Sequence, residues 1–183
     1  MMKQNLNLEC FKMSGEIINR VSKSNLITID LQDYYPKGKR TAIDIKKWLK
    51  EGLILIEKDF RKTLKNNNWS QFKDNHICIF CSSDAIVPVW AYMLIQTYLY
   101  GIARSVTFGT PETMESMLLS PIIESLDLKY CKDKPVVIKG CSEKKIPRDA
   151  YIKLIKKLQP IAKSIMYGEA CSSVPLFKRK INY

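Results

Sequence analysis

The residue types on which many enzyme motifs depend are scarce in this chain, which has one histidine and seven glycines among 183 residues. No Gly-rich phosphate loop and no G-x-G-x-x-G fingerprint occurs, so the sequence predicts neither common type of nucleotide site. The histidine, His76, opens a predicted strand at the opposite end from Cys81, which argues against a Cys–His nucleophile pair. Six residues separate Cys141 from Arg148, too many for the phosphate loop of a protein phosphatase.

The sequence also has no low-complexity tract, no Gly/Ser linker and no internal repeat of about 20 to 50 residues. Hydrophobic residues make up 46% and charged residues 26% of the chain, as in ordinary globular proteins. We therefore expect a single α/β domain over residues 15–183. The segment Met13-Ser14-Gly15-Glu16 looks like a second start, so we expect residues 1–14 to be a weakly ordered N-terminal extension.

An apolar signal segment is missing from the polar start Met1-Met2-Lys3-Gln4, so we expect a cytoplasmic protein. Residues 85–103 are uncharged, and this stretch of 19 approaches the length of a membrane span. Pro88, Gln96 and Gly101 interrupt it, and a predicted strand lies on either side. These features favour a helix packed on a sheet over a membrane helix, and we expect no membrane partner.

The charge balance is strongly basic, with a formal net charge of +12. Lysine outnumbers arginine 24 to 6, and the lysines are scattered along the chain. This pattern is typical of a solvated surface encoded by an AT-rich genome, and it argues against nucleic acid as the partner. A basic interaction module with purely structural cysteines is the alternative that the charge leaves open.

Short β-branched runs alternate with segments of helical spacing. Strands are predicted at 25–31, 77–80, 104–108, 134–139 and 162–166, a short strand or extended lead-in at 40–45, and helices at 45–64, 88–100, 110–126 and 147–158. The alternation predicts a three-layer α/β fold with a mainly parallel sheet of four to five strands and helices on both faces. In such sheets, ligands bind outside the carboxyl ends of the strands.

Three cysteines, each followed by serine, come just after such runs: Cys81, Cys141 and Cys171. If their strands are parallel members of one sheet, the three thiols lie at one edge. Helices that begin near Pro88 and Pro147 favour the thiolate, which is the form that binds metals. We therefore predict that these thiols hold zinc or an iron–sulfur cluster.

A fourth ligand for this site is expected from carboxylates near the same edge, and an open fourth position or a ligand from a second subunit is the alternative. The candidates are Asp84, which we include in the predicted site, and Asp30, Glu143 and Glu169. The competing explanation is that the cysteines are small packing residues in tight turns. Packing is the role we predict for Cys78, because residues three apart on a strand face opposite sides. A structural or incidental role is predicted for Cys10 and Cys131. Without a secretory signal, six cysteines do not indicate a disulfide framework.

Five segments resemble a bacterial domain family of unknown function: EIINRV (16–21), WLKEGLIL (48–55), SDAIVPVWAYM (83–93), VIKGCS (137–142) and LQPIAKSIMYGE (158–169). The resemblance covers about residues 15–180 and includes the three Cys-Ser positions. Members of this family are often encoded beside SUF-type iron–sulfur cluster assembly genes. The resemblance thus implies a role in cluster assembly, with iron–sulfur assembly proteins as partners, but it implies no catalytic residue.

Two functional hypotheses follow for the cysteines. The first is a cytosolic accessory protein that binds a metal ion or cluster through Cys81, Cys141 and Cys171. The second is a cysteine-dependent enzyme of sulfur or thiol transfer, in which one thiol dominates the reactivity. The sequence does not decide whether the protein is an enzyme.

Overall fold

The computed structural model describes residues 25–140, 143–169 and 172–180. In this part of the chain, strands and helices alternate as the sequence predicts. The strands are β1 (Ile27–Ile29), β2 (Arg40–Asp44), β3 (His76–Phe80), β4 (Ser105–Phe108), β5 (Pro135–Ile138), β6 (Ser164–Glu169) and β7 (Ser172–Lys178). The α-helices are α1 (Glu57–Asn66), α2 (Val89–Leu99), α3 (Pro111–Ser125) and α4 (Arg148–Leu158). The predicted α/β class with mainly parallel strands is confirmed.

The strands form two sheets, whereas the sequence predicts one. The four-stranded sheet has the order β1-β5-β6-β7, and the three-stranded sheet has the order β2-β3-β4. All neighbours are parallel except β6 and β7, which form an antiparallel hairpin. After β1 the chain builds the whole three-stranded sheet before it returns to β5, which pairs with β1 at Ile29 and Ile138. The order of the strands in the sequence does not indicate that β2, β3 and β4 form a separate sheet between β1 and β5.

Each sheet has its own hydrophobic core. Under the four-stranded sheet, Ile138 and Ile165 pack with Leu154 of α4. Against the three-stranded sheet, Ile77 of β3 and Phe60 of α1 belong to a second cluster, to which α2 also contributes. Each fully buried side chain of this size contributes about 1.5–3 kcal/mol. Helix α3 contacts α4 as well as β3 and β4, and it therefore joins the two halves.

An ion pair adds a polar link between the halves. The guanidinium of Arg40 in β2 donates to both carboxylate oxygens of Glu115 in α3, at 2.9 and 3.3 Å. The same guanidinium lies 4.3 Å from the ring centroid of Tyr35. Because the Arg40 and Glu115 side chains are only 20% and 12% exposed, the pair fixes α3 against β2 more firmly than a solvated pair would.

The predicted helix over 45–64 is wrong for its first part, residues 45–56, and is confirmed from Glu57 onward. Residues Ile45–Trp48 form a 3-10 turn, and the α-helix begins only at Glu57. Between them the chain turns through Glu51 and Gly52, whose φ angles of 53° and 72° are left-handed. A glycine adopts this conformation at little cost, so the turn replaces the helix there.

The uncharged stretch forms α2 and its flanking loops. Ala91, Ile95 and Leu99 are buried, as predicted for a helix packed on a sheet, but Val89 and Met93 are exposed. In the described part of the chain, no helix has the length and apolar character that crossing a membrane requires. The predicted start of α3 is confirmed, since the Thr110 hydroxyl accepts the amide of Thr113 and Pro111 occupies the first turn.

Strand β7 was not predicted. It contains Pro175, which disfavours a strand in the interior of a sheet but is tolerated at an edge. The register of the β6–β7 pair shifts at Ile165 and Met166, which accommodates the proline. The predicted extension at residues 1–14 lies outside the described residues.

Candidate functional site

Two strand edges hold the residues that the sequence singles out. The Asp30 edge is the carboxyl edge of the four-stranded sheet, with Asp30 after β1, Lys139 and Gly140 after β5, and Tyr167 and Glu169 at the end of β6. The Asp44 edge is the carboxyl edge of the three-stranded sheet, with Asp44 at the end of β2 and Cys81, Ser82, Ser83 and Asp84 after β3.

At the Asp30 edge, the aspartate bridges two neighbouring strand ends. Its Oδ1 accepts the amide of Gln32 at 2.9 Å, which caps the 3-10 turn that follows β1. Its Oδ2 lies 3.1 Å from Nζ of Lys139. The Asp30 side chain is 15% exposed and that of Lys139 is 37% exposed, so the pair lies partly shielded from water.

The charges at this edge reinforce one another. Burial alone would raise the pKa of Asp30, but the Gln32 hydrogen bond and the Lys139 ammonium outweigh it and hold the pKa below its usual value. The hydrogen bond to Asp30 raises the pKa of Lys139, and the carboxylates of Glu169 and Asp33 add to this effect. Lys139 is therefore a fixed cation at the end of β5.

A close contact joins the ends of β5 and β6. A Cβ added to Gly140 would lie 2.8 Å from Cζ of Tyr167, and the Tyr167 hydroxyl donates to the Gly140 carbonyl at 3.5 Å. The Tyr167 ring stands edge-on to Tyr151 of α4, with centroids 5.6 Å apart. Only glycine fits at position 140 without displacing this ring.

The loop that follows β5 is tied back to the end of β1. The side-chain oxygen of Gln32 accepts the amides of Glu143 and Lys144, at 3.0 and 3.2 Å. The loop then enters α4 through Pro147. Glu143, one of the predicted carboxylate ligands, is held by its backbone, while its side chain is exposed.

Cys141 and Cys171 lie outside the described residues, but their neighbours in the chain are described. Gly140 directly precedes Cys141. Glu169 pairs with Ser172 across the β6–β7 hairpin, and Cys171 is one of the two residues between them. The flanking residues on both sides therefore belong to the Asp30 edge.

The Asp44 edge is closed by serine hydrogen bonds. The Asp44 carboxylate accepts the amide of Lys46, which caps a 3-10 turn, and both the amide and the hydroxyl of Ser82, at 3.1 and 2.6 Å. Burial alone would raise the pKa of Asp44, but the Ser82 and Lys46 hydrogen bonds hold it below its usual value. Ser83 donates to the carbonyl of Gly52 at 2.6 Å.

Cys81 is half-buried within this closed turn. Its sulfur lies 3.2 Å from the Ser83 hydroxyl, and it packs against the core of the three-stranded sheet. Asp84 is exposed beside it. Among residues 25–140, 143–169 and 172–180, no three His, Cys, Asp or Glu side chains gather in a way that could hold a metal ion. Because β3 belongs to the other sheet, Cys81 does not share an edge with the neighbours of Cys141 and Cys171.

The predicted packing of Cys78 in the core is confirmed, and the position of His76 is as expected. Cys78 and Cys131 are both fully buried, and burial raises the pKa of each thiol. His76 begins β3 and bonds to Ser105 and to the carbonyl of Lys37, at 2.7 and 3.0 Å. Its ring nitrogens are thus engaged at the opposite end of β3 from Cys81. Cys10 lies outside the described residues.

A cavity of about 630 Å³ lies beside the Asp30 edge. Tyr35, Arg40, Glu115 and Glu143 are among its lining residues, so its wall carries charges of both signs. Burial, followed by the Glu115 carboxylate, raises the pKa of Tyr35 to about 12 against the opposing effect of Arg40. The phenol therefore stays protonated at neutral pH and adds no charge to the cavity.

Sequence reasoning missed Lys139, although it named Asp30. Both residues come directly after a strand, and Ile29 pairs with Ile138 in the parallel ladder. The pairing of β1 with β5, which are more than 100 residues apart, is what brings the two charges together. A basic residue directly after one strand and an acidic residue directly after another were the available signal.

A family model described as a protein of unknown function (DUF2480) matches residues 15–179 of the chain. No curated protein and no solved structure matches the chain. The matched range spans both sheets and both edges, which confirms the resemblance to a family of unknown function. The match brings no activity, ligand or functional residue with it.

Proposed function

The chain belongs to the DUF2480 family of proteins of unknown function, and we propose that it is an accessory protein that binds a metal ion or an iron–sulfur cluster at the Asp30 edge. Cys141 and Cys171 are the principal ligands in this proposal. Zinc and iron–sulfur clusters are the two candidates, because thiolates are the preferred ligands of both.

The observation that carries the proposal is the contact between the ends of β5 and β6. These strands are hydrogen-bonded neighbours, Ile138 pairs with Tyr167, and the Tyr167 ring covers Gly140. Cys141 follows Gly140 directly, and Cys171 follows Glu169 by two residues. Two cysteines that follow adjacent strand ends within three residues in the sequence suit one shared metal ion.

The surroundings of this edge suit a thiolate site. Lys139 is a fixed cation two residues before Cys141, and a nearby cation favours the thiolate over the thiol. Glu169 carries an exposed carboxylate on the strand that leads to Cys171, and it is our choice for a further ligand. Asp30 is the alternative, although its contact with Lys139 would have to open.

A wider version of the site includes Cys81 and Asp84, as the sequence predicts. It requires the Asp44 edge to reach the Asp30 edge, and it requires Cys81 to leave its packed position beside Ser83. We therefore rank Cys81 below the other two thiols. Substituting each cysteine separately distinguishes the two versions.

Iron–sulfur cluster assembly or delivery is the process that we propose for this protein. The reason is the genomic association with SUF-type genes that the family resemblance implies, together with the predicted thiol site. In this proposal the chain is a bacterial cytoplasmic protein, and its partners are iron–sulfur assembly proteins. A genomic association suggests a process without assigning a mechanism.

The direct test is the content of metal and acid-labile sulfide in the full chain, purified without oxygen and without a metal-affinity tag. We expect close to one zinc ion, or iron with sulfide, per chain, and a cluster would add a visible absorption band. A protein that is free of metal, and that takes up neither added zinc nor a reconstituted cluster, would contradict the proposal.

A sulfur- or thiol-transfer enzyme is the second candidate, and Lys139 is the observation that favours it. A cation beside one thiol activates that thiol more than the others. Iodoacetamide labelling followed by mass spectrometry separates the two functions in the metal-free protein. One thiol that reacts much faster than the rest supports the enzyme, whereas uniformly slow thiols speak against it.

A further inference from the structure

The outer edge of the three-stranded sheet is unprotected. In the described part of the chain, β4 pairs with β3 alone. Charged residues, prolines and bulges usually protect an edge strand from pairing with another edge. The sequence of β4, Ser105-Val106-Thr107-Phe108, contains none of them. By contrast, β7 at the edge of the other sheet carries Pro175, Lys178 and a register shift.

The backbone groups that β4 leaves open can be identified. Gly109 donates its amide to the carbonyl of Ile79 on β3. Since successive residues of a strand turn their N–H and C=O groups to alternate sides, Val106 and Phe108 point theirs away from β3. Within residues 25–140, 143–169 and 172–180, no other strand pairs with these groups.

Exposed apolar side chains lie on the elements that flank β4. Phe108 is 68% exposed, Val89 and Met93 on α2 are 73% and 63% exposed, and Met117 on α3 is 61% exposed. Met117 follows Thr113 by one helical turn, and the Thr113 side chain lies beside Gly109 at the end of β4. Apolar residues thus accompany the open edge on both the α2 and the α3 side.

A cleft of about 870 Å³ lies between α2 and the three-stranded sheet on this face. Its wall is almost entirely apolar, with Gln96 and Thr97 as the polar exceptions. Phe108 stands at its rim, edge-on to Tyr92 with ring centroids 4.9 Å apart. Among the described residues, no charged side chain lines the cleft, so association through this face buries no ionised group in the cleft.

We propose that this face is the interface of a homodimer, in which β4 of one copy pairs antiparallel with β4 of a second copy. With the twofold axis between the Thr107 residues of the two copies, Val106 of each copy lies opposite Phe108 of the other. The open N–H and C=O groups of these two residues then form four main-chain hydrogen bonds. The two three-stranded sheets become one continuous sheet, with the α2 helices on one face and the α3 helices on the other.

A second copy accounts for the whole face better than the alternatives. An extended peptide would pair with β4 but would leave Met93 and Met117 exposed. A small apolar molecule would fill the cleft but would leave the outward groups of Val106 and Phe108 without partners. Another sheet with its own flanking helices covers the strand edge and both helices together.

The test is the mass of the full chain in solution, measured by sedimentation equilibrium over the micromolar range. We expect a species of twice the 21.2 kDa chain mass. Phe108→Lys, which places like charges on both sides of the axis, is expected to weaken the dimer by at least about tenfold, because like charges at an interface repel each other. Met93→Lys is a second variant with the same expected direction.

Ile152→Lys is the matched control, because Ile152 is 67% exposed on α4 in the other half of the chain. This control is expected to leave the dimer intact, and circular dichroism melting checks that each variant is folded. A chain that is monomeric throughout would overturn the proposal, even if it bound an apolar dye in the cleft. A dimer that both Phe108→Lys and Met93→Lys leave unchanged would overturn it as well.

Discussion

The Asp30 edge and the Asp44 edge begin in the same way. In each, an aspartate at the end of a first strand accepts the amide of the second residue after it. In each, this hydrogen bond opens a short 3-10 turn, at Leu31–Tyr34 and at Ile45–Trp48. In each, a parallel neighbouring strand leads within a few residues to a Cys-Ser pair.

The two edges differ in what reaches the aspartate from the neighbouring strand. At the Asp44 edge it is Ser82 of the Cys-Ser pair itself, which donates both its amide and its hydroxyl. At the Asp30 edge it is Lys139, two residues before Cys141. Ser82 therefore closes the turn at the Asp44 edge by hydrogen bonding to the aspartate. At the Asp30 edge, the described partners of the aspartate are Gln32 and Lys139, which lie outside the Cys-Ser pair.

This difference teaches that the Cys-Ser pattern has no single meaning. At Cys81 the turn chemistry explains the serines, and packing explains the half-buried thiol. At the Asp30 edge, Gln32 and Lys139 supply the described partners of the aspartate. The chemistry is therefore expected at the Asp30 edge, and the following predictions test that asymmetry.

The hairpin beside Cys171 gives the largest expected effect. Gly168 has a φ of 121°, and an added Cβ would lie 2.8 Å from the backbone oxygen of Ser172. We expect Gly168→Ala to lower the free energy of unfolding by about 3 kcal/mol in urea denaturation, because both the conformation and the space exclude a side chain. We also expect it to impair metal binding at this edge.

Gly101→Ala is the matched control in the other half of the chain. Gly101 also has a left-handed φ, 72°, but nothing lies within 4 Å of an added Cβ. The expected loss is about 1 kcal/mol, with no effect on metal binding. Equal losses for the two variants would show that crowding at the hairpin is not important.

The next effect concerns the closed turn. Asp44→Ala removes the cap of the 3-10 turn and both bonds to Ser82, so we expect the free energy of unfolding to fall by about 2 kcal/mol. Ser82→Ala removes one hydroxyl donor and is expected to cost about 1 kcal/mol. Chemical denaturation measures both, and the metal content of both variants is expected to match that of the unchanged chain.

The lowered pKa values of Asp30 and Asp44 predict how the free energy of unfolding changes at acid pH. A lowered folded-state pKa stabilises the protein above the unfolded value of about 3.9, and this contribution is lost as the pH falls below it through the folded pKa. Asp30→Asn and Asp44→Asn should each flatten the fall in stability from about pH 5 downward, by about 1 kcal/mol.

The effect of added salt on the free energy of unfolding distinguishes the contribution of Asp30 from that of Asp44. The partner of Asp30 is an ammonium group, so added salt should reduce its contribution. The main partners of Asp44 are a hydroxyl and amides, so its contribution should persist. The measurement is the free energy of unfolding against pH at low and at high salt, and the same salt dependence for both aspartates would count against the assignment.

The smallest expected effect is on thiol reactivity. Lys139→Gln removes the cation two residues before Cys141, and we expect iodoacetamide labelling of Cys141 in metal-free protein to slow about threefold. Lys46→Gln is the control, because Lys46 is a lysine at the Asp44 edge. It should leave Cys141 unaffected. An unchanged Cys141 rate in Lys139→Gln would mean that the lysine does not act on this thiol.

Much of the fold could be predicted from local signals. Thr110 and Pro111 predict the start of α3, and the β-branched run before Cys81 predicts β3. The hairpin strand β7 was missed because Pro175 argues against a strand. The helix predicted over 45–64 was wrong over residues 45–56, because the chain turns at Gly52. Local patterns were thus reliable where a cap or an apolar run fixes the backbone.

The candidate site could be predicted only in part, because it depends on long-range pairing. The choice of sheet for each strand decides which cysteines share an edge, and no local pattern distinguishes β3 from β5. The contact of Asp30 with Lys139 likewise depends on the pairing of β1 with β5. Burial of Cys78 was predicted from strand alternation, but β3 is buried on both faces from His76 to Ile79, so its central place in the sheet decides the burial.

The most direct test of the account compares two variants in a zinc competition titration, followed by cluster reconstitution without oxygen. One is Cys81→Ser, and the other is the double variant Cys141→Ser/Cys171→Ser. We predict that Cys81→Ser binds metal as the unchanged chain does, while the double variant loses at least about a hundredfold in affinity, since changes even outside the ligand set cost about 10- to 100-fold. Loss of binding in Cys81→Ser, or full binding in the double variant, would contradict a site at the Asp30 edge.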